Sequence, residues 1–461
     1  MGSRPNVEIR SILAHFLLSF LALWLISNTA YAADSTIENC KSLTSPEWMP
    51  QEIWVWEKLC GREDADFNTL EGIPDAQRAW MVPLDTWDEY RILSSRFLSN
   101  IILDEPFASA LSNRVIQING AWYQEEINFD GARIRNFLSL LDSRFDGPIY
   151  FRGSDIDARV ELMASWFRNE FEIFNSTISK DLIIAEARFD RGVNLANNIG
   201  DMSIVLQDTE FFGYVNLSGS RLNEVVVGTQ GQEPVWSEDA RLSMRGTFLN
   251  ILVDSVNSWN GLEGKLDLQG LTYQRFTGIA DSLDASTGAE SSSERPVGDL
   301  IRWLEMQEDR ERIFIPQPYE QLASALYDLG QNSKADRILY AKNDYWRQHA
   351  TTPLLDKLWL TIKKVVIGYG YQVWLTILWF FLLICAGALV LRFSIQGRNQ
   401  PLLQCLLYSL DQAIPLVDLQ PLHEDIARQH SIRLQGYYLT HQIFSLILIS
   451  FLGAGLAGAI G

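Results

Sequence analysis

Near the end of the chain two carboxylates, Asp411 and Asp418, flank Pro415 in a leucine-rich stretch. Leu403, Leu406, Leu407 and Leu410 share one helical face, and Pro415 ends it. Repeated around an oligomer, carboxylates at such a break would attract cations, so Asp411 and Asp418 are candidate ion-path residues. The expected arrangement is plainer: an amphipathic helix lying in the membrane interface.

Other residues of chemical character are scattered. His423-Glu424 and His430 place two imidazoles seven residues apart. On a helix that is a rise of about 10.5 Å, too far to share one ion bonded to nitrogen at about 2 Å. His441 lies near the start of an apolar run and is expected to anchor it at the interface. Asp142, Asp146, Asp155 and Asp157, with Arg144 and Arg152, have the residue types of a polysaccharide lyase. They alternate with apolar positions, so a solvent-facing, salt-bridged surface is expected instead. Gly368-Tyr369-Gly370 has the letters of a potassium filter but precedes the first apolar run, where aromatic anchoring is expected. The chain has no phosphate loop, nucleophile elbow, dinucleotide fingerprint or haem-attachment motif. No catalytic, cofactor-binding or metal-ligating residue is therefore assigned, and no enzyme activity is expected.

These residues are positioned by the chain's ends and by its middle. Residues 1–32 read as a signal peptide: Arg4 and Arg10, an apolar run from Ile12 to Ile26, and the cleavage pattern Ala30-Tyr31-Ala32. Val373 to Leu391 is a span without formal charge, rimmed by Tyr369, Tyr371 and Trp374. Tyr437 to Ile460 is a second, softened by Gly453, Gly455 and Gly458. A signal followed by two spans exports the middle of the chain and leaves the loop 392–436 inside. Arg347, Lys357, Lys363 and Lys364 before the first span, against Arg392 and Arg398 after it, pull the other way. Long domains cross largely regardless of charge, so the signal peptide decides. Export would make Cys40 and Cys60 a disulfide, and closing a loop of about 20 residues stabilises by roughly 3 kcal/mol. With 57 Asp and Glu against 38 Lys and Arg, the net charge of −19 excludes a phosphate-backbone partner.

The middle repeats every 22 residues. One column holds Tyr123, Phe145, Phe167, Phe189 and Phe211; others hold Ile127, Ile149, Phe171, Val193 and Val215, and Phe129, Phe151, Ile173, Leu195 and Leu217. The second half of each row adds Ile134, Ile156, Ile178, Gly200 and Leu222; Leu138, Val160, Leu182, Ile204 and Val226; and Leu140, Leu162, Ile184, Leu206 and Gly228. Of these 30 positions 28 are apolar, against 47% for the whole chain. Apolar residues two apart signal strands. Small residues precede each half-row: Ala121, Ser143, Ser165, Ala187 and Thr209, and Ala132, Ser154, Ser176, Asn198 and Ser220. They would let the chain turn a tight corner. The pattern predicts a right-handed β-solenoid over 111–279, of five to seven coils about 4.8 Å apart, with worn terminal coils at Leu242-Ser243-Met244 and Leu266-Asp267-Leu268.

Around it, 33–110 reads as a Trp-rich, mostly helical cap, 280–299 as a Ser-rich linker and 300–364 as a helical hairpin and juxtamembrane region. The hairpin would carry Leu322, Leu326 and Leu329 on its first helix and start its second with Ser333 as N-cap. Residues 365–461 form the two-span membrane domain.

The half-row of a small residue, then Phe or Leu with apolar followers, resembles the pentapeptide-repeat β-helix. The resemblance widens through Cys60-Gly61-Arg62-Glu63-Asp64-Ala65-Asp66-Phe67, Leu93-Ser94-Ser95-Arg96-Phe97-Leu98, Pro316-Gln317-Pro318-Tyr319-Glu320-Gln321-Leu322-Ala323, and Tyr408-Ser409-Leu410-Asp411 with Pro415-Leu416-Val417-Asp418-Leu419. These look like a family of bacterial pentapeptide-repeat-like membrane proteins. The resemblance implies a signal-bearing protein of the inner membrane with its solenoid in the periplasm, and it brings no catalytic residues.

The expected function is that of a membrane-anchored interaction scaffold for a protein or envelope partner, in a chain that could form a homo-oligomer. The alternatives are an ion channel or transport component built on the spans and loop 402–419, and an envelope polysaccharide enzyme.

Overall fold

Two corners of each coil are each built from two adjacent residues. The first takes a left-handed conformation, as at Asp142 (φ 50°), Gly153 (64°), Asn175 (53°) and Asn197 (57°). Gly, Asn and Asp tolerate that region best. The second is the small residue of the pattern. The computed structural model describes residues 37–70, 72, 78–84, 87–112, 114–278, 295–307, 314–395, 397–414 and 431–460. The proposed signal peptide, 1–32, lies outside these residues. The chain divides into two compact units, Met1–Glu308 and Asp309–Gly461.

In the first unit the corners close a four-sided parallel β-solenoid. Three successive coils place one short strand in each of four sheets, and later coils do so in three: Leu138–Leu141, Arg144–Phe145, Ile149–Arg152 and Asp155–Ile156 make one full turn. The sheets hold nine, six, seven and three strands, and the seven-stranded sheet runs from Ile127–Asn128 to Leu266–Asp267. Strand partners lie 22 residues apart, as in Phe145↔Phe167 and Ile149↔Phe171. The aromatic column becomes a continuous internal stack. Successive centroids from Tyr123 through Phe145, Phe167, Phe189 and Phe211 to Trp236 lie 4.8, 4.7, 4.4, 5.6 and 4.8 Å apart.

The small residues do more than avoid a clash. Ser176 accepts a hydrogen bond from the Ser154 amide (3.0 Å), Asn198 from the Ser176 amide (2.9 Å), and Ser220 from the Asn198 amide (3.1 Å). Asn198 Nδ2 also donates to the carbonyl of Ile173 (2.6 Å). The corners are thus a polar ladder that satisfies buried backbone groups where no strand pairing is available.

Beyond Thr229 the coils lengthen, so that Phe211 pairs with Trp236 and Val215 with Leu242, and before it the lattice departs from strict periodicity at two places. Ile204 pairs with Val225, not with Val226, and the buried alternates are Val225 and Val227. The coil is one residue shorter here: the amides of Asn223 and Glu224 both donate to the Met202 carbonyl. Gly200 stands in an aliphatic column because a Cβ there would run into the Ile178 carbonyl of the coil before it.

Both ends of the solenoid are covered. At the start, Ala65–Asp66 pairs with Ile118 and Asn119, so the first coil meets a strand as well as helices. Helices α1 (Pro50–Cys60), α2 (Ser95–Leu103) and α3 (Phe107–Ala110) complete this cap, and a disulfide joins Cys40 to Cys60 with Cα atoms 5.6 Å apart. At the other end α4 (Val297–Glu305) begins inside the range read as linker. Its Trp303 packs on Trp259 at 5.5 Å and on Phe276 at 5.0 Å.

The second unit is helical: α5 (Gln317–Asp328), α6 (Asn332–Gln348), α7 (Leu354–Ile367), α8 (Val373–Phe393), α9 (Leu402–Ala413) and α10 (Ile432–Ile460). In the hairpin, Leu322 and Leu326 are buried but Leu329 is exposed, and α6 starts at Asn332 rather than after Ser333. The stretches Val373–Phe393 and Ile432–Gly453 are long and apolar enough to cross a membrane.

Candidate functional site

Outward from the aromatic stack, the six-stranded sheet carries a second column, which the apolar pattern conceals. Its residues are Trp122, Arg144, Trp166, Arg188, Glu210 and Val235. Trp and Arg alternate, so indole and guanidinium planes interleave. The Arg144 guanidinium carbon is 4.5 Å from the Trp122 ring centroid and 5.6 Å from that of Trp166. Trp122 Nε1 donates to Asp146 (2.8 Å), and Arg144 donates to the same carboxylate through Nε (2.9 Å) and Nη2 (2.8 Å). The arrangement recurs two coils later: Trp166 Nε1 and Arg188 Nε each donate to Asp190 at 2.8 Å.

Residues from the N-terminal cap cross the first half of this face. The Ala79 amide donates to the Ala164 carbonyl (3.0 Å), and the Arg78 amide donates to the Asp142 carboxylate (2.9 Å). Arg78 also pairs with Glu186 at 2.7 Å. Trp87 lies 6.4 Å from Trp122 and 5.8 Å from the Arg144 guanidinium carbon. Beneath this strap the Arg144 side chain is only 6% exposed. Arg144 was expected in solvent because its position alternates with the core, but a covalently distant segment buries it. Further along the same column exposure rises: the side chains of Arg188 and Glu210 are each 31% exposed and Val235 is 57% exposed. Phe212 and Tyr214, close by in sequence, are also exposed.

The strap is expected to respond to pH through Asp146, which binds the Trp122 and Arg144 side chains that the strap covers. Burial opposes its ionisation, but hydrogen bonds from Arg144 and Trp122 and the charges of Arg144 and Arg168 outweigh burial and hold the carboxyl below its ordinary range. A carboxyl lowered by folding stabilises the fold above its unfolded value, about 3.9, and that stabilisation is lost as pH falls through the folded value. Acidification below about pH 4 is therefore expected to loosen the strap. Asp146→Asn is expected to do the same at neutral pH, at a cost of about 1–2 kcal/mol. Hydrogen exchange of the amides of Ala79 and its neighbours, corrected for the intrinsic pH dependence of exchange and followed against pH in both proteins, measures it; equal protection at every pH would contradict the assignment.

In the second unit one of the two candidate ion-path residues is described. Asp411 lies among the buried residues of α9, and Asp418 lies outside the described residues, as do His423, Glu424 and His430. The residues of α9 packed inside the protein are mainly not the leucines. Cys405, Tyr408 and Ser409 are buried against α8 and α10 with Ala388, Leu391 and Tyr438, while Leu402 and Leu403 are exposed. Ser409 Oγ donates to the carbonyl of Ile384 (2.8 Å), halfway along α8, so α9 packs alongside the span and does not lie across its end.

His441 is likewise not an interface anchor. Because α10 starts at Ile432, His441 is well inside the helix and buried, with Nε2 3.2 Å from the Leu383 carbonyl and 3.4 Å from Ser409 Oγ. Gly387 makes room for this polar contact, since a Cβ there would collide with Ser409 and His441. Gly368-Tyr369-Gly370 is a tight turn between α7 and α8. Tyr369 donates to Asp344 on α6 (3.1 Å), a carboxylate that also holds Arg347 and Lys364. The tyrosine is a structural pin and is largely buried, unlike a lipid-facing aromatic.

No family model matches the chain, and no curated protein or solved structure is significantly similar to it. Fold and sites together define a β-solenoid repeat protein with two helices long and apolar enough to cross a membrane. Such repeats more commonly build binding surfaces than catalytic centres.

Proposed function

We propose that this protein is a membrane-anchored scaffold whose solenoid docks a peptide segment of a partner on its six-stranded face. The observation that carries the proposal is the strap. The chain already lays a segment of its own across Trp122, Arg144 and Trp166, and the same column continues uncovered through Arg188, Glu210 and Val235. The uncovered half offers cations, carboxylates and apolar residues in a row, which suits a segment with an aromatic and a charged side chain two coils apart.

The membrane helices are the tether. The signal-like start of the chain and the resemblance to pentapeptide-repeat-like membrane proteins support export of the solenoid to the periplasm, with the anchor in the inner membrane. On this reading the chain is not an enzyme, and the acidic surface meets an envelope component or protein, not nucleic acid.

A photo-crosslinking residue at position 235, in cells, tests the docking face. A discrete adduct is expected that disappears with Arg188→Glu and is absent when the crosslinker is moved to position 199, on another face. A reporter enzyme fused after Thr229 tests the side: activity only in the cytoplasm would overturn export. Absence of any adduct at 235 in a folded protein would overturn the docking face. Ion flux through the full chain in liposomes, abolished by Asp411→Asn, would instead favour the channel reading.

A further inference from the structure

The second unit contains a cavity of about 800 Å³ between α7, α8 and α10. Its walls are almost entirely apolar and include Trp359, Ile362, Trp379, Phe444 and Phe451; among the described residues Lys363 is the one charged side chain lining it. We infer that this cavity binds an anionic phospholipid, an acyl chain lying between α7 and the two spans and the phosphate held by Lys363. The inference rests on Val373–Phe393 and Ile432–Gly453 lying in a bilayer and is independent of what the solenoid binds.

Three observations carry it. First, α7 has the design of an interfacial helix. Leu354, Leu355, Leu358, Trp359, Ile362 and Val365 form one exposed apolar stripe, with Lys357, Lys363 and Lys364 beside it. Such a helix lies at headgroup level, where a lipid phosphate and the upper part of its chains are found. Second, Lys363 is available. Its neighbour Lys364 is bound to Asp344 at 2.6 Å. Lys363 has no acidic partner among the described residues, and its Nζ sits 5.2 Å from the Trp359 ring centroid. A cation at the mouth of an apolar cavity complements a ligand with an anionic head and an apolar tail. Third, the volume lies in the range of ligand sites and not of packing defects. A polar solute would leave its groups unpaired against these walls.

The test uses the full-length protein reconstituted in bilayers of equal phosphatidylcholine and phosphatidylglycerol, then extracted, with retained lipid counted by native mass spectrometry. Phosphatidylglycerol is expected to be retained about fivefold over phosphatidylcholine, the effect of one lysine near an anionic headgroup. Lys363→Gln should remove that preference, and Lys357→Gln, on the same helix but outside the cavity, should keep it. Ala386→Phe, which fills the cavity wall, should reduce retention of both lipids. Equal retention of the two lipids by the unaltered protein would overturn the inference. So would a loss with Lys357→Gln as large as with Lys363→Gln, because the charge effect would then be diffuse, and so would unchanged retention in Ala386→Phe.

Discussion

Replacing Phe167 by alanine is expected to destabilise the solenoid by about 3–5 kcal/mol. The ring is buried and lies between Phe145 at 4.7 Å and Phe189 at 4.4 Å, with interplanar angles of 3° and 5°. In a globular core, neighbours can shift into the space left by a ring. Here they are fixed, because Phe145, Phe167 and Phe189 are held at coil spacing by parallel pairing on both sides. The cavity therefore persists, which puts the substitution at the upper end of the range. A solenoid is also held together mainly by contacts between adjacent coils, so a weakened layer is not compensated from afar. Phe167→Leu, which keeps most of the volume, should cost far less. Urea unfolding of both variants, followed by tryptophan fluorescence, measures the difference; a loss below 1 kcal/mol for Phe167→Ala would show that the stack adjusts.

The interior of the solenoid was legible in the sequence because burial and period coincide. Apart from Val226, each apolar residue of the grid is buried, and Val226 is displaced because one residue is missing between Leu222 and Val225. A fixed row length cannot register such a deletion; only the alternation of Val225 and Val227 could have shown it. The strap was not legible, since residues 78–92 share no period with the coils. The face it covers did leave a trace, Trp122 and Trp166 alternating with Arg144 and Arg188 on successive coils, but an alternation of two coils is hidden when rows are read one coil at a time. In the helical second unit, on the reading that α8 and α10 lie in a bilayer, the usual inference fails for a physical reason. Lipid is as apolar as leucine, so leucine does not mark the buried side of a helix there. Small and polar groups such as Gly387, Ser409 and His441 mark it instead.

Asp254→Ala is expected to cost about 3–5 kcal/mol by leaving a guanidinium buried without its partner. Asp254 is fully buried at the end of strand Phe248–Asp254, and both its oxygens accept from Arg295 Nη1 at 2.9 Å. Trp259 Nε1 donates to the same carboxylate. Burial pushes the carboxyl up, against the opposing pull of Arg295 and of the bond from Trp259. The pair is therefore not a large net source of stability, although removing either member alone is harmful. Arg295 lies over Phe276 at 5.3 Å, in the aromatic cluster that covers the last coil, and it is where the chain returns to the solenoid before α4. Three proteins separate these effects in one denaturation series. Asp254→Ala should lose the full amount and should expose Trp259 and Trp303 to quencher first. Arg295→Met should lose less, because the carboxyl left behind can take up a proton. The double replacement Asp254→Leu with Arg295→Met should return to within about 1 kcal/mol of the starting protein, as apolar substitutes for buried pairs commonly do. If the double replacement is as unstable as Asp254→Ala, the pair sets the geometry of the end cap and is not a tolerated electrostatic cost.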